Sequence, residues 1–376
     1  MLNRRTLRIK IMQSLFAFEQ CKEANYQLAL DQIEEHFQPD LNSMEFQDKE
    51  LLKGQRKMAR QLLERKFSKG ESIDSDDAKV NAAVKEGLSV YHKSVKKDNT
   101  FFSKNMVLEV EKLNELYLSV LGLLISLADS AVTDKKTDFK NFIENAGIKC
   151  LRENQELTKA LLKTNGNWSG RQDLVRDWFR EIVKTDEEFL KYNGSKTPSL
   201  EDHKSILKHL VRKVILGKTV INDFFEEEDM RWAEDKEIVK SLAEKTIKSI
   251  TEEGKVEIQK LSLDWEDDRE FMKALFNGAV DLDEKHKELI SQNTKNWEVD
   301  RLPLTDRVIL EMAIAELIQF PNIPVKVSIN EYIELAKHYS TPKSRQFING
   351  ILDVIAKELK ASGVLKKSGR GLIDNK

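Results

Sequence analysis

Apolar residues recur every three or four positions along this chain, with almost nothing to interrupt them, and this constrains its fold more than any other feature. In 376 residues there are only 15 glycines and 6 prolines. Such sparse punctuation leaves little room for the many turns of a β architecture and favours helices. Leu7, Ile11, Leu15 and Phe18 put one apolar stripe on a first helix. Leu174, Val175, Trp178, Phe179, Ile182 and Val183 form another, and Ile206, Leu207, Leu210, Val211, Val214 and Ile215 a third. The longest apolar run, Leu116 to Ala128, is about half a bilayer span. It carries Ser119 and Ser126 and ends at Asp129, which reads as a buried helix. The expected fold class is all-α.

Periodicity lapses over residues 68–82 and 94–105, and turn formers crowd 164–170 and 193–202. In the last third, Thr305 reads as the N-cap of a helix carrying Val308, Ile309, Met312, Ile314, Leu317 and Ile318, stopped by Pro321 and Pro324. Ser328 and Glu331 read as a capping box ahead of Ile329, Ile333 and Ala336. Thr341 and Pro342 predict the start of a final helix reaching Lys360. Gly350 inside that helix costs about 1 kcal/mol relative to alanine, and close helix packing is expected to compensate. Residues 362–376, rich in Gly and Lys, are expected to fray.

With 62 Lys and Arg against 64 Asp and Glu, the formal charge is −2. Attraction to a polyanion must therefore be local. Arg4, Arg5 and Arg8 fall within a sector of about 100° at the start of the first helix. With Lys10 they face only one acid, Glu19, in residues 1–20. Cations at a helix N-terminus oppose its dipole, so something other than helix stability places them. Lys343, Arg345 and Phe347 form a second basic and aromatic group. Arginine pairs with phosphate in bidentate geometry, and rings stack on unpaired bases. A solvated helix end and a core phenylalanine account for the same residues, and the spacing leaves both readings open. Residues 222–237 are strongly acidic, with eight carboxylates against Arg231 and Lys236. The run at 223–229 reads as a solvated face, with a basic partner or a divalent cation as the other reading.

No catalytic constellation emerges. Cys21 and Cys150 cannot make a disulfide framework or a four-thiolate metal site. His203 and His209 lie six residues apart and point to different helix faces, while Asp281, Asp283, Glu284 and His286 fan around one helix. Gly217-Lys218-Thr219 ends like a phosphate-binding loop, but Arg212 stands where that loop needs glycine, and no strand precedes it. No dinucleotide or methyl-donor glycine motif occurs. No cofactor and no metal are expected.

Several blocks in order resemble the NusB family of bacterial transcription antitermination and ribosomal RNA biogenesis factors. They are Arg307 to Leu317 (RVILEMAIAEL), Ile323 to Lys337 (IPVKVSINEYIELAK) and Ser344 to Asp353 (SRQFINGILD). Phe276-Asn277-Gly278-Ala279-Val280 is similar to the family's L-x-x-G-V helix, and Arg4, Arg5, Arg8, Gln13, Leu15 and Phe16 to its first helix. The resemblance is to an elongated member of the kind found in the Bacteroidota. It implies NusB-like helical bundles with a large helical insertion between the first helix and the C-terminal bundle. The expected organisation is a first helix at 1–22, an extended lineage-specific region at 23–264, family helices at 265–361 and a flexible basic tail at 362–376. It also implies a non-enzymatic, cytoplasmic protein with no membrane segment. Such a protein binds boxA-type leader or ribosomal RNA with NusE, the small-subunit ribosomal protein, in the transcription elongation complex. Carried over by position, the RNA surface comprises Arg4, Arg5, Arg8, Lys10, Lys343, Arg345 and Phe347, and the partner surface Asp306 and Glu316. Leu7-Arg8-Ile9 and Lys343 depart from the family pattern. The alternatives are a helical protein–protein scaffold that has lost RNA binding and, lacking a visible methyl-donor loop, an RNA-modifying enzyme.

Overall fold

The computed structural model describes residues 2–44, 46–70, 74–134, 137–164, 167–293 and 302–375. Among them every regular element is helical, as the periodicity requires. Three long helices come first: α1 (Arg4–His36), α2 (Lys49–Lys69) and α3 (Ala78–Val132). Short ones follow: α4 (Lys140–Ile143), α5 (Ala146–Glu153), α6 (Gln155–Lys163), α7 (Gln172–Glu181), α8 (Glu187–Asn193), α9 (Leu200–His209) and α10 (Thr219–Glu228). Then come α11 (Trp232–Lys248), α12 (Trp265–Val280), α13 (Glu284–Asn293), α14 (Leu304–Gln319), α15 (Val325–Tyr339) and α16 (Ser344–Ala361).

The first helix runs well past residue 22 because no glycine or proline stands in its way before Pro39. Asp48 caps α2 through the backbone N–H groups of Glu50 and Leu51, and Gly70 at φ 66° ends it in the left-handed conformation. Helix α3 continues straight through residues 94–105, where a break was expected. That stretch is polar, but it has neither glycine nor proline, and polarity alone does not stop a helix. Of the expected breaks, residues 71–73 and 165–166 lie outside the described residues.

The chain divides into two compact units, Met1–Leu7 with Leu108–Asp268, and Arg8–Val107 with Arg269–Lys376. In the first unit, Leu116, Tyr117, Leu118, Val120, Leu121, Leu123, Leu124, Leu127 and Ala128 of α3 are all buried. By length and composition α3 could cross a membrane, yet its most apolar run is core. Tyr117 is held there by Thr246 Oγ1 at 2.5 Å and by the Gln259 N–H at 3.0 Å. Phe225 stacks on Trp232 at 4.4 Å, and the Trp232 indole N–H donates to Asn222 Oδ1 at 2.9 Å.

The second unit has two parts. Ala29, Leu30 and Ile33 of α1, with Phe37 just past its end, pack with Ala59 and Leu63 of α2 and Val80, Ala83 and Val84 of α3. The other part surrounds α14, against which α13, α15 and α16 pack. Phe18 reaches Phe276 of α12 at 6.1 Å, and Phe271 reaches Phe320 at 5.0 Å.

The helix starts differ from the expected caps. Helix α14 begins at Leu304 after Pro303, α15 at Val325 after Pro324, and α16 at Ser344. Proline brings a preset φ and no N–H to satisfy, so it marks two of these starts in place of Thr305 and Ser328. Gly350 is exposed, and a Cβ there would meet nothing within 4 Å, so no close packing compensates it. The described part of the tail makes hydrogen bonds to the bundle. The Leu365 N–H donates to Leu359 O at 2.9 Å, Ser368 N–H to Pro321 O at 3.1 Å, and Lys367 Nζ to Phe320 O at 3.0 Å. A Cβ at residue 371 would lie 2.0 Å from Pro321 O, so glycine alone permits this approach. A last helical turn follows over Gly369–Asn375.

Candidate nucleic-acid interface

Helix α14 is apolar on nearly every side. Val308, Ile309, Leu310, Met312, Ala313, Ile314, Ala315 and Leu317 are all buried. A helix apolar all round sits at the centre of its bundle, and any acid on it goes inside too. Glu316 is 0% exposed and Asp306 2%. A buried carboxylate survives only if it is paired and fully hydrogen-bonded.

Arg8 supplies the pairing for Glu316. Its Nε and Nη2 donate to the two carboxylate oxygens at 2.7 Å each. Ser328 Oγ adds a donor at 2.7 Å and Tyr332 OH another at 2.9 Å. Glu331 lies 3.8 Å from Nη1, and the guanidinium sits 5.5 Å from the Phe271 ring centroid and 5.9 Å from that of Tyr332. Burial would lower the Arg8 pKa, but the hydrogen bond and charge of Glu316 outweigh it and push it up. Burial, reinforced by Glu316, pushes the Tyr332 phenol well above its ordinary range. Asp306 accepts from Ser340 Oγ and, at 2.6 Å, from Ser344 Oγ, which also meets Thr341 Oγ1 at 2.8 Å. One carboxylate thereby fixes the connection from α15 to α16.

These positions bear on part of the expected site. Arg8 (2% exposed) and Lys10 (1%) lie in the interior and present no cation to a phosphate. Asp306 and Glu316 hold the bundle together from within and present no surface to a protein partner. Part of the signal was in the sequence: Glu316 stands in the RVILEMAIAEL block between Ala315 and Leu317, with too little polar surface around it to stay in water.

Lys343 and Arg345 are exposed at the start of α16, and Phe347 is half-buried one turn on. The Phe347 N–H donates to Lys343 O at 3.3 Å, so the three side chains ride on a single turn whose entry the Asp306 hydroxyl contacts define. Arg4 belongs to the first unit, where it pairs with Asp267 and, at 3.4 Å, with Asp268. Arg5, next to it, is exposed. The two arginines and the α16 group thus fall in different units.

On α14 itself, Glu311 is a carboxyl that the sequence reading passed over. Burial pushes it up to about 7, against the opposing pull of Arg307. Arg307 pairs with Glu19 at 3.2 Å, as does Lys22 at 2.8 Å.

The remaining polar clusters are internally occupied. His203 Nδ1 meets Tyr192 OH at 2.6 Å, His209 meets Asp186 at 2.9 Å and His286 meets Asp283 at 2.6 Å. Among the described residues no group of three His, Cys, Asp or Glu could hold a metal ion. Gly217-Lys218-Thr219 follows a wide helical turn, Leu210–Ile215, and opens α10, with no strand before it. Burial raises both thiols, Cys21 and Cys150, which opposes a reactive thiolate. In the acidic run, Glu228 pairs with Arg171 at 2.8 Å and Asp229 with Lys112 at 3.3 Å.

Residues 229–357 match the NusB family model. The chain is 45% identical over 105 residues to the transcription antitermination protein NusB of Salinibacter ruber, a match covering 28% of this chain and 66% of that protein. It is 43% identical over 106 residues to that of Chloroherpeton thalassium, covering 28% and 50% respectively. With that of Koribacter versatilis it shares 43% over 96 residues, covering 26% and 66%. The chain thus spans just under two thirds, or half, of the length of these relatives. No solved structure matches the chain.

Proposed function

On the premise that this chain is a NusB-family member through its domain at residues 229–357, we propose that it is a non-catalytic, cytoplasmic RNA-binding factor in transcription antitermination. It acts on boxA-type RNA together with NusE, within the elongation complex that transcribes ribosomal RNA. The observation that carries this reading is the 43–45% identity to transcription antitermination proteins over the family domain. The start of α16 supports it with an exposed cation, Lys343, one turn before the half-buried Phe347, and a second, Arg345, on the other side of the helix. The cations attract phosphate and release counterions, and the ring offers a face on which a splayed base stacks. Arg5, with Arg4 behind its two carboxylates, is the candidate contact of the other unit.

Fluorescence anisotropy with labelled boxA-type RNA and a scrambled control, each with and without NusE, tests the reading. The expected result is a preference for boxA that NusE strengthens and that Lys343→Gln, Arg345→Gln and Phe347→Ala together abolish. Equal binding to both RNAs in the presence of NusE would overturn it. A protein–protein scaffold without RNA binding is the second reading. Leu41, Met44 and Phe46, between α1 and α2 in sequence, favour it, since all three stand fully in solvent.

A further inference from the structure

We propose that the outward face of α2 is an additional RNA contact that takes the phosphate backbone without regard to sequence. This rests on the RNA-binding reading above. The 21 residues of α2 hold eight Lys or Arg against two Glu, in a chain whose net charge is −2. Lys49, Lys53, Arg56, Lys57 and Arg60 fall within a sector of about 100° on the helical wheel. Four of them are exposed and Arg56 is half-buried, while Gln55, Ala59 and Leu63 bury the inner face.

Arg60 is compensated by Glu34 at 2.8 Å and Glu64 at 3.0 Å. Lys49, Lys53, Arg56 and Lys57 make no ion pair among the described residues. Lys53 stands three or four residues from each of the other three and is repelled by all of them, and Lys49 lies in the first turn, where the helix dipole also opposes it. A four-residue step advances about 6 Å along the axis, and the row from Lys49 to Arg60 covers about 16 Å. Such a row suits a string of phosphates better than one small anion. An anionic bilayer would attract it too, but binding there needs an apolar face to insert. The apolar side of α2, with Ala59 and Leu63, is packed on α1 and α3, and its exposed apolar residues Leu51 and Met58 lie on the opposite side of the wheel from the basic row.

The test uses the full chain carrying Lys49→Gln, Lys53→Gln, Arg56→Gln and Lys57→Gln. Gln matches Lys and Arg in helix propensity, and circular dichroism checks that the fold persists. Lys149→Gln, Lys159→Gln, Lys196→Gln and Lys248→Gln, exposed lysines of the other unit, make a control with the same charge change. Anisotropy is read against boxA-type RNA and scrambled RNA across a salt series, and sedimentation with phosphatidylserine vesicles. The α2 variant is expected to lose about tenfold or more in low-salt affinity for both RNAs, and about 3 from the log–log salt slope at about 0.7 per single-strand contact. Its boxA-to-scrambled ratio stays that of the unmodified chain, and the control binds like the unmodified chain.

Unchanged affinity and slope would overturn the proposal. So would an equal loss in the control, or a loss seen only with vesicles. If the unmodified chain binds both RNAs alike and does so through α2, the boxA reading fails and the α2 contact stands. If it binds neither, both fail.

Discussion

The Arg8–Glu316 pair decides more at the scale of single residues than any exposed cation does. Breaking a buried, hydrogen-bonded pair from one side strands the other charge, at a cost of about 3–5 kcal/mol. Arg8→Ala is therefore expected to lower the unfolding free energy by about that much in a urea titration. An effect under about 1 kcal/mol would mean that Glu316 finds water. Asp306→Ala removes the acceptor of two hydroxyls, Ser340 and Ser344, and should cost about 1–3 kcal/mol by the same measurement. Glu311 gives a pH signature. Its folded pKa, raised to about 7 from an ordinary 4.5, means that the folded state holds the proton more tightly than the unfolded one. Its contribution is fully present below the unfolded value and is lost as pH rises through about 7. Glu311→Gln should therefore match the unmodified protein in stability near pH 4 and exceed it at pH 8, by at most about 3 kcal/mol. Stability profiles of the two proteins that stay parallel would refute this.

Among the elements, what was legible followed from periodicity, and what was missed followed from termini. Leu7, Ile11, Leu15 and Phe18 are all buried as their spacing requires. The reach of α1 to His36 and of α3 through residues 94–105 was not legible, because a polar stretch without glycine or proline looks like a loop until tertiary packing holds it. Capping residues misled for a related reason. Ser328 has the spacing of a cap, but Pro324 starts α15 one turn earlier, and the Ser328 hydroxyl goes to Glu316. Gly350 remains in α16 with no neighbour to explain it. Gly350→Ala is expected to stabilise the protein by about 1 kcal/mol, read as a higher melting midpoint. A lower midpoint would show that something docks on that face.

For the whole molecule, the helical class and the family domain were readable because their signals are local: spacing, and blocks of motif. The division into two units was not, since it depends on contacts between distant stretches that carry no mark in sequence. The exposure of the candidate residues was legible only in part, for the same reason: Lys343 and Arg345 are exposed, while Arg8, their expected companion, is engaged by an acid 308 residues away. A fragment of residues 229–357 holds Glu316 without Arg8 and without the apolar stripe of α1. It is expected to show no cooperative thermal transition by circular dichroism, and a sharp one would show that the family domain stands alone. The 308-residue separation also sets a clock on biosynthesis. At about 5–20 residues per second, Arg8 leaves the ribosome roughly 15–60 s before Glu316 is made. For that interval Arg8 has no Glu316 to pair with, and its guanidinium has to stay in water until α14 emerges.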